Sequence, residues 1–191
     1  MTMPCIRPVF ALLGLLLCAC RPSPSADNYL VRITSGEDGF GDPCGYVDRR
    51  GDTIIPPGQY LYCYTDTLRT HAIVVNRPER RESAYDLCIA INRSGRKLFN
   101  VFWFDNGPDY VCDGLMRIRD DAGRVGYADT LGRIAIEPQY AFGTPFDSGR
   151  AEVTLTGCER PATDAPDEEH RYWDSDQWLV IDKTGQVIKE K

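Results

Sequence analysis

The chain is poor in the residues and spacings that carry enzyme chemistry. Its 191 residues include two histidines, His71 and His170, and no G-x-S-x-G elbow, so no nucleophile–base pair announces itself. No cysteine sits in a C-x-x-C or C-x-x-H spacing, which argues against a zinc site and a thioredoxin-like redox motif. Basic residues are outnumbered, 22 Lys and Arg against 28 Asp and Glu, and this excludes nucleic acid as a partner, because phosphate binding needs a basic face. The glycine-rich stretch from Gly36 to Gly41 lacks the strand–loop–helix setting and the Lys-Ser/Thr of a phosphate loop. No motif calls for a cofactor. Outside the first residues no stretch keeps a helical period long enough for a major helix.

The one long apolar run is Val9–Leu17, preceded by the single charge Arg7. It is shorter than the roughly 20 residues a bilayer span requires and has the form of a secretory core segment. Leu17-Cys18-Ala19-Cys20 resembles a lipobox, with a small residue before the acceptor cysteine. Residues 1–19 are therefore expected to be a bacterial-type export signal helix, removed in the mature protein. Cys20 is the expected lipidation site and anchors the protein to a membrane. Residues 20–28, with Pro22, Ser23, Pro24 and Ser25, read as a tether. By resemblance to well-studied lipoproteins, Arg21 in place of Asp after the cysteine implies an outer-membrane rather than an inner-membrane address in the cell envelope. Loss of Arg7 with the leader makes the formal charge of −6 one unit more negative.

What is abundant downstream is a repeated pattern. Tyr46-Val47-Asp48-Arg49-Arg50-Gly51, Ala90-Ile91-Asn92-Arg93-Ser94-Gly95, Tyr127-Ala128-Asp129-Thr130-Leu131-Gly132 and Val180-Ile181-Asp182-Lys183-Thr184-Gly185 share an apolar pair, an Asx and a glycine three residues later. An Asx side chain can bond the backbone two residues on, and glycine takes the positive φ of the turn, so each reads as a β-hairpin. Strand-like residues flank every turn. Ile55-Pro56-Pro57-Gly58-Gln59-Tyr60 and Ile136-Glu137-Pro138-Gln139-Tyr140 extend two of the copies, and their prolines are expected to end the hairpin strand. Phe146-Asp147-Ser148-Gly149-Arg150-Ala151-Glu152-Val153 closes the third copy and is echoed at Val111–Ile118.

These residues resemble the WG-repeat family, whose unit reads roughly Trp-Gly-Tyr-Ile-Asp-x-x-Gly-x-x-Ile-Pro-Pro-x-Tyr followed by Phe-x-x-Gly-x-Ala-x-Val. Gly126 to Val153 carries the resemblance almost throughout, and Gly45 to Tyr60 carries its first half. Cys44, Cys88, Val125 and Trp178 stand where the family has its tryptophan; Gly45, Ile89, Gly126 and Leu179 follow them. The resemblance implies an all-β array of antiparallel β-hairpin repeats over residues 29–191, with each unit burying its face on the next. It also implies a non-catalytic binding or scaffolding module with a protein or polymer partner.

Five cysteines remain besides Cys20: Cys44, Cys63, Cys88, Cys112 and Cys158. Export favours disulfides among them, and the odd count leaves at least one thiol unpaired or bonded to another chain. The pairing is open between Cys44–Cys88, from equivalent repeat positions, and Cys44–Cys63 or Cys88–Cys112 within a unit. Residues 159–176 read as an acidic insertion in an exposed loop. Aromatics cluster at Phe99–Phe104 and again at Tyr172, Trp173 and Trp178. They suit either a sheet core or an exposed binding face, for which Trp103 and Trp173 are the candidates. The alternative class is a small envelope hydrolase or metal-dependent enzyme built on His71 or His170 with nearby carboxylates.

Overall fold

A computed structural model describes residues 28–36, 41–162 and 171–190. The expected leader, Cys20, the tether up to residue 27, His170 and the middle of the acidic insertion lie outside the described residues. Among the described residues no helix is long and apolar enough to cross a membrane.

The chain is built from strands. A lead-in strand β1 (Leu30–Thr34) precedes the first copy, β2 (Cys44–Val47), β3 (Thr53–Tyr60), β4 (Tyr62–Cys63), β5 (Thr67–Leu68) and β6 (Ala72–Val75). The second copy is β7 (Cys88–Ile91), β8 (Lys97–Val101), β9 (Trp103–Phe104), β10 (Gly107–Pro108) and β11 (Leu115–Arg119). The third is β12 (Val125–Asp129), β13 (Ile134–Tyr140), β14 (Phe142–Gly143) and β15 (Arg150–Thr154). An inserted pair, β16 (Cys158–Pro161) and β17 (Arg171–Asp174), comes before the fourth, β18 (Leu179–Asp182) and β19 (Val187–Glu190).

The repeated turns form as the sequence dictates. Asp48, Asn92, Asp129 and Asp182 each accept, on one side-chain oxygen, the backbone N–H groups two and four residues on, at 2.8–3.0 Å. Gly51, Gly95, Gly132 and Gly185 follow at φ of 76° to 89°, the left-handed bulge position of this hairpin type. Asp120 and Gly123 make a fifth turn of the same kind between β11 and β12. Its Asp-x-x-Gly spacing was visible in the sequence, but its position between copies hid it.

Copies one and three share a device that copies two and four lack. The strands β3 and β13 run on through Pro56, Pro57 and Pro138 instead of ending there. They bulge, so that Tyr46 faces Ile55 while Cys44 faces Tyr60, and Tyr127 faces Ile136 while Val125 faces Tyr140. The bulged backbone is pressed onto the intervening glycine. A Cβ on Gly45 would stand 2.3 Å from the Ile55 carbonyl oxygen, and one on Gly126 would stand 2.5 Å from that of Ile136. Proline has no N–H to lose from a ladder, so the bulge leaves fewer donors unpaired.

Beyond the bulge the chain leaves its sheet. β3 lies at the edge of the four-stranded sheet β3-β2-β1-β5, whereas β4 opens the next sheet. Likewise β13 ends the central sheet and β14 begins the sheet β14-β15-β18-β19. Copy two has no proline between Leu98 and Val101, and β8 carries straight on to pair with β11. The result is one seven-stranded sheet, β4-β6-β7-β8-β11-β12-β13.

That central sheet is covered on both faces. Ile89 and Ile91 of β7 join a core with Leu30, Cys44, Tyr46 and Leu68, while Cys88 and Ala90 face Phe99, Val101, Met116 and Ile118. A third core gathers Val125, Tyr127, Ile136, Phe146, Val153 and Ile181 between the central and last sheets. The switching loops are held by buried phenols, with Tyr46 Oη donating to the Thr65 carbonyl at 2.7 Å and Tyr127 Oη to that of Thr144 at 2.8 Å.

The acidic insertion is not simply a loop. Its ends pair as β16 and β17, with Glu159–Arg171 at 3.1 Å and Arg160–Asp174 at 2.5 Å as diagonal ion pairs across the strands. The period of two puts Arg171 and Trp173 on one face of β17 and Tyr172 and Asp174 on the other, and Trp173 gives this strand an apolar foothold on the domain.

Candidate ligand groove

The inserted hairpin docks through Trp173, whose ring stacks on Phe142 with centroids 5.2 Å apart and planes 11° apart. Its indole N–H donates to the Thr156 carbonyl at 2.9 Å, which fixes the ring. Across from it stands the small hairpin β9–β10, which carries Trp103 and Phe104. Between them lies a groove of about 670 Å³, bordered by Tyr85, Phe102, Trp103, Phe104, Phe142, Tyr172 and Trp173. That size and aromatic lining suit a small ligand or a segment of chain.

The floor is charged. Arg117 and Arg119 alternate on β11 with Met116 and Ile118, so the period of two sends both guanidinium groups to the same face. Both lie over Phe102, at 4.1 and 4.3 Å from its centroid. Arg117 is buried and satisfied: Asp109 takes its Nε at 2.9 Å and Nη2 at 2.6 Å, and the Gly143 carbonyl takes Nη1 at 3.3 Å. Asp109 also accepts the Arg117 backbone N–H at 3.0 Å. A buried charge is tolerated only with such pairing.

Arg119 is different. It stacks on Tyr85 at 5.0 Å and on Phe102, and its Nε is buried with no hydrogen-bond acceptor. Burial depresses its pKa, yet a guanidinium stays charged under any ordinary condition. At the rim Arg171 is matched by Glu159.

A second depression, of about 800 Å³, lies along β15, β18 and β19, and its lining mixes the charged Asp147, Arg150, Glu152 and Lys189 with aliphatic side chains. It has no aromatic wall.

Residues 126–157 match the WG containing repeat. No curated protein and no solved structure matches the chain. The WG match covers the third copy and runs on past β15 to the foot of the inserted hairpin, so it includes Phe142 and the Thr156 carbonyl, which position Trp173. Trp103 and Trp173, 70 positions apart in the sequence, thus border one groove, both on elements outside the WG match. Both are half-buried, serving the packing and the surface together.

The cysteines divide sharply. Cys44 and Cys63 form a disulfide with Cα atoms 6.2 Å apart. Cys88 does not pair with Cys44 or with Cys112, for a topological reason: Cys44 and Cys63 face the first core, and Cys88 faces the opposite side of the central sheet. Burial pushes the Cys88 thiol up to about 12, which makes it unreactive. Cys112, in the tight turn before β11, and exposed Cys158 are also free thiols.

His71 lies one residue before β6, with its ring against Gly132 of the third copy's turn. Its Nδ1 is 3.2 Å from Thr70 Oγ1, and burial lowers its pKa, while Asp129 opposes the shift. Asp129 is itself engaged by the N–H groups of Leu131 and Arg133 and by the Arg133 side chain. Among the described residues no group of three or more His, Cys, Asp and Glu side chains could hold a metal ion. The arginines of the floor escaped the sequence reading, although their alternation in Leu115-Met116-Arg117-Ile118-Arg119 was the available signal.

Proposed function

We propose that this is a lipid-anchored cell-envelope protein whose β-repeat domain works as a non-catalytic binding or scaffolding module. The observation that carries the reading is the groove, in which Trp103 and Trp173 are presented together from two separate hairpins above a charged floor. A rigid stack of sheets presenting one aromatic cleft suits recognition of a partner better than turnover of a substrate. Anchoring through Cys20 places that cleft beside the membrane, at the end of a short Pro-Ser tether.

Two experiments test the two halves. Replacing Cys20 with Ala abolishes incorporation of labelled fatty acid, and persistent labelling would refute the anchor. Crosslinking of the native lipoprotein followed by pull-down yields a defined partner set that Trp103→Ala and Trp173→Phe diminish. An unchanged set in both variants would refute the groove as the binding surface.

A further inference from the structure

We infer that the groove takes an acidic peptide segment, with one carboxylate seated on Arg119 and a neighbouring apolar or aromatic side chain lying against Trp103, Phe104 and Trp173. The inference rests on the reading of the groove as a binding surface and specifies what that surface selects.

Charge accounting gives the first argument. Three arginines and two acids line the groove. Arg117 is neutralised by Asp109 beneath it and Arg171 by Glu159. Glu159 also acts on Arg119 from beyond ion-pairing distance, and Asp105 accepts a hydrogen bond from Asn106 on the small hairpin. Among the described residues no carboxylate lies within ion-pairing distance of Arg119. Its plane is already held by Tyr85 and Phe102, so the fork is oriented before a ligand arrives. Its Nε is buried without an acceptor. A planar, stacked guanidinium that borders the groove without an ion-pair partner fits the two oxygens of a carboxylate.

The second argument concerns what the groove lacks. Among the described residues that line it there is no Asn, Gln, Ser, Thr or His. A sugar presents a ring of hydroxyls that need matching donors and acceptors, and the groups left for them beside Arg119 are Asp105, the Tyr85 and Tyr172 hydroxyls and the already ion-paired Glu159 and Arg171. The Trp173 indole N–H is already engaged by Thr156. A peptide makes smaller demands on side chains, because β9 and β17 belong to two-stranded sheets and each has one partner strand. Such edges offer main-chain groups to an extended segment.

The test uses the detergent-solubilised full-length protein and two probes, the peptide Ac-Phe-Glu-Phe-NH2 and its glutamine counterpart, by calorimetry. The glutamate peptide binds about tenfold more tightly, in keeping with a charge-assisted bidentate pair. Arg119→Gln brings the ratio to near one, Arg119→Lys restores part of it, and Trp173→Phe weakens both peptides alike. Equal affinities that still fall in Trp173→Phe would overturn the carboxylate claim and leave the binding surface standing. Tighter binding of a glucuronate-terminated oligosaccharide than of either peptide would overturn the peptide as occupant. Failure of every probe to bind would overturn both this inference and the groove reading beneath it.

Discussion

Copies one and three of the repeat differ from copies two and four in a set of residues that occur together. The first pair has glycine and then tyrosine after the opening position, Gly45-Tyr46 and Gly126-Tyr127, with proline in the facing strand. The second pair has Ile89-Ala90 and Leu179-Val180 and no proline in β8 or β19. The hairpin turn is nevertheless the same in all four. The turn therefore sets the hairpin, whereas glycine, tyrosine and proline together decide whether the chain leaves its sheet. Glycine admits the bulged backbone, proline tolerates the broken ladder, and the phenol ties down the loop beyond.

The comparison breaks most visibly at glycine. Gly126→Ala drives a methyl to 2.5 Å from a backbone oxygen, where nothing flexible can yield, and destabilises by about 3 kcal/mol or more in urea unfolding. Gly45→Ala does the same. A near-neutral result at either position would remove the steric basis of the sheet switch.

The next effect separates copy one from copy three. The first switch is pinned by Cys44–Cys63, a closure of 19 positions, while the third relies on packing around Val125 and Tyr127. Cys44→Ala with Cys63→Ala therefore costs about 3 kcal/mol, whereas Cys158→Ser leaves the unfolding midpoint where it was.

Smaller is the loss from the phenols. Tyr46→Phe and Tyr127→Phe each strand a carbonyl oxygen and cost about 1 kcal/mol. Burial raises both phenol pKa values. The unfolded chain then ionises first above about pH 10, and stability falls as the pH rises beyond that point. The double variant flattens this alkaline limb.

The smallest effect belongs to His71, where copy one touches the turn of copy three. Its pKa is lowered in the folded protein, so its contribution is complete above the unfolded value of about 6.5 and is lost as the pH falls below it. His71→Gln weakens that dependence in pH-resolved melts, and an unaltered acid limb would assign it to carboxylates such as Asp129.

Much of this architecture was legible. The Asx-x-x-Gly spacing places every repeated turn, because the same few atoms make the turn wherever it occurs. The seven-stranded sheet was not legible, since its cue is the absence of proline between Leu98 and Val101, and an absence gives no local signal. Strand ends at Pro56, Pro57 and Pro138 were misjudged because tertiary packing on Gly45 and Gly126 compensates the ladder. The groove was half legible. Trp103 and Trp173 stood out as aromatics, but their meeting depends on the hairpin formed by residues 158–161 and 171–174 and on stacking with Phe142, 31 positions before Trp173. Arg119 acquires its meaning only once Asp109 is seen to pair with Arg117 and Glu159 to form its ion pair with Arg171.

The central claim is that the Trp103–Trp173 groove is where this protein meets its partner. A photocrosslinking residue placed at Tyr172, which borders the groove and is 50% exposed, can be compared with one at Ile54 on β3, which is 43% exposed and far from it in the repeat order. The account predicts a discrete adduct from Tyr172 in the full-length protein, absent from Ile54 and lost when Arg119→Gln is added. Identical adducts from both positions, or none from Tyr172, would contradict it.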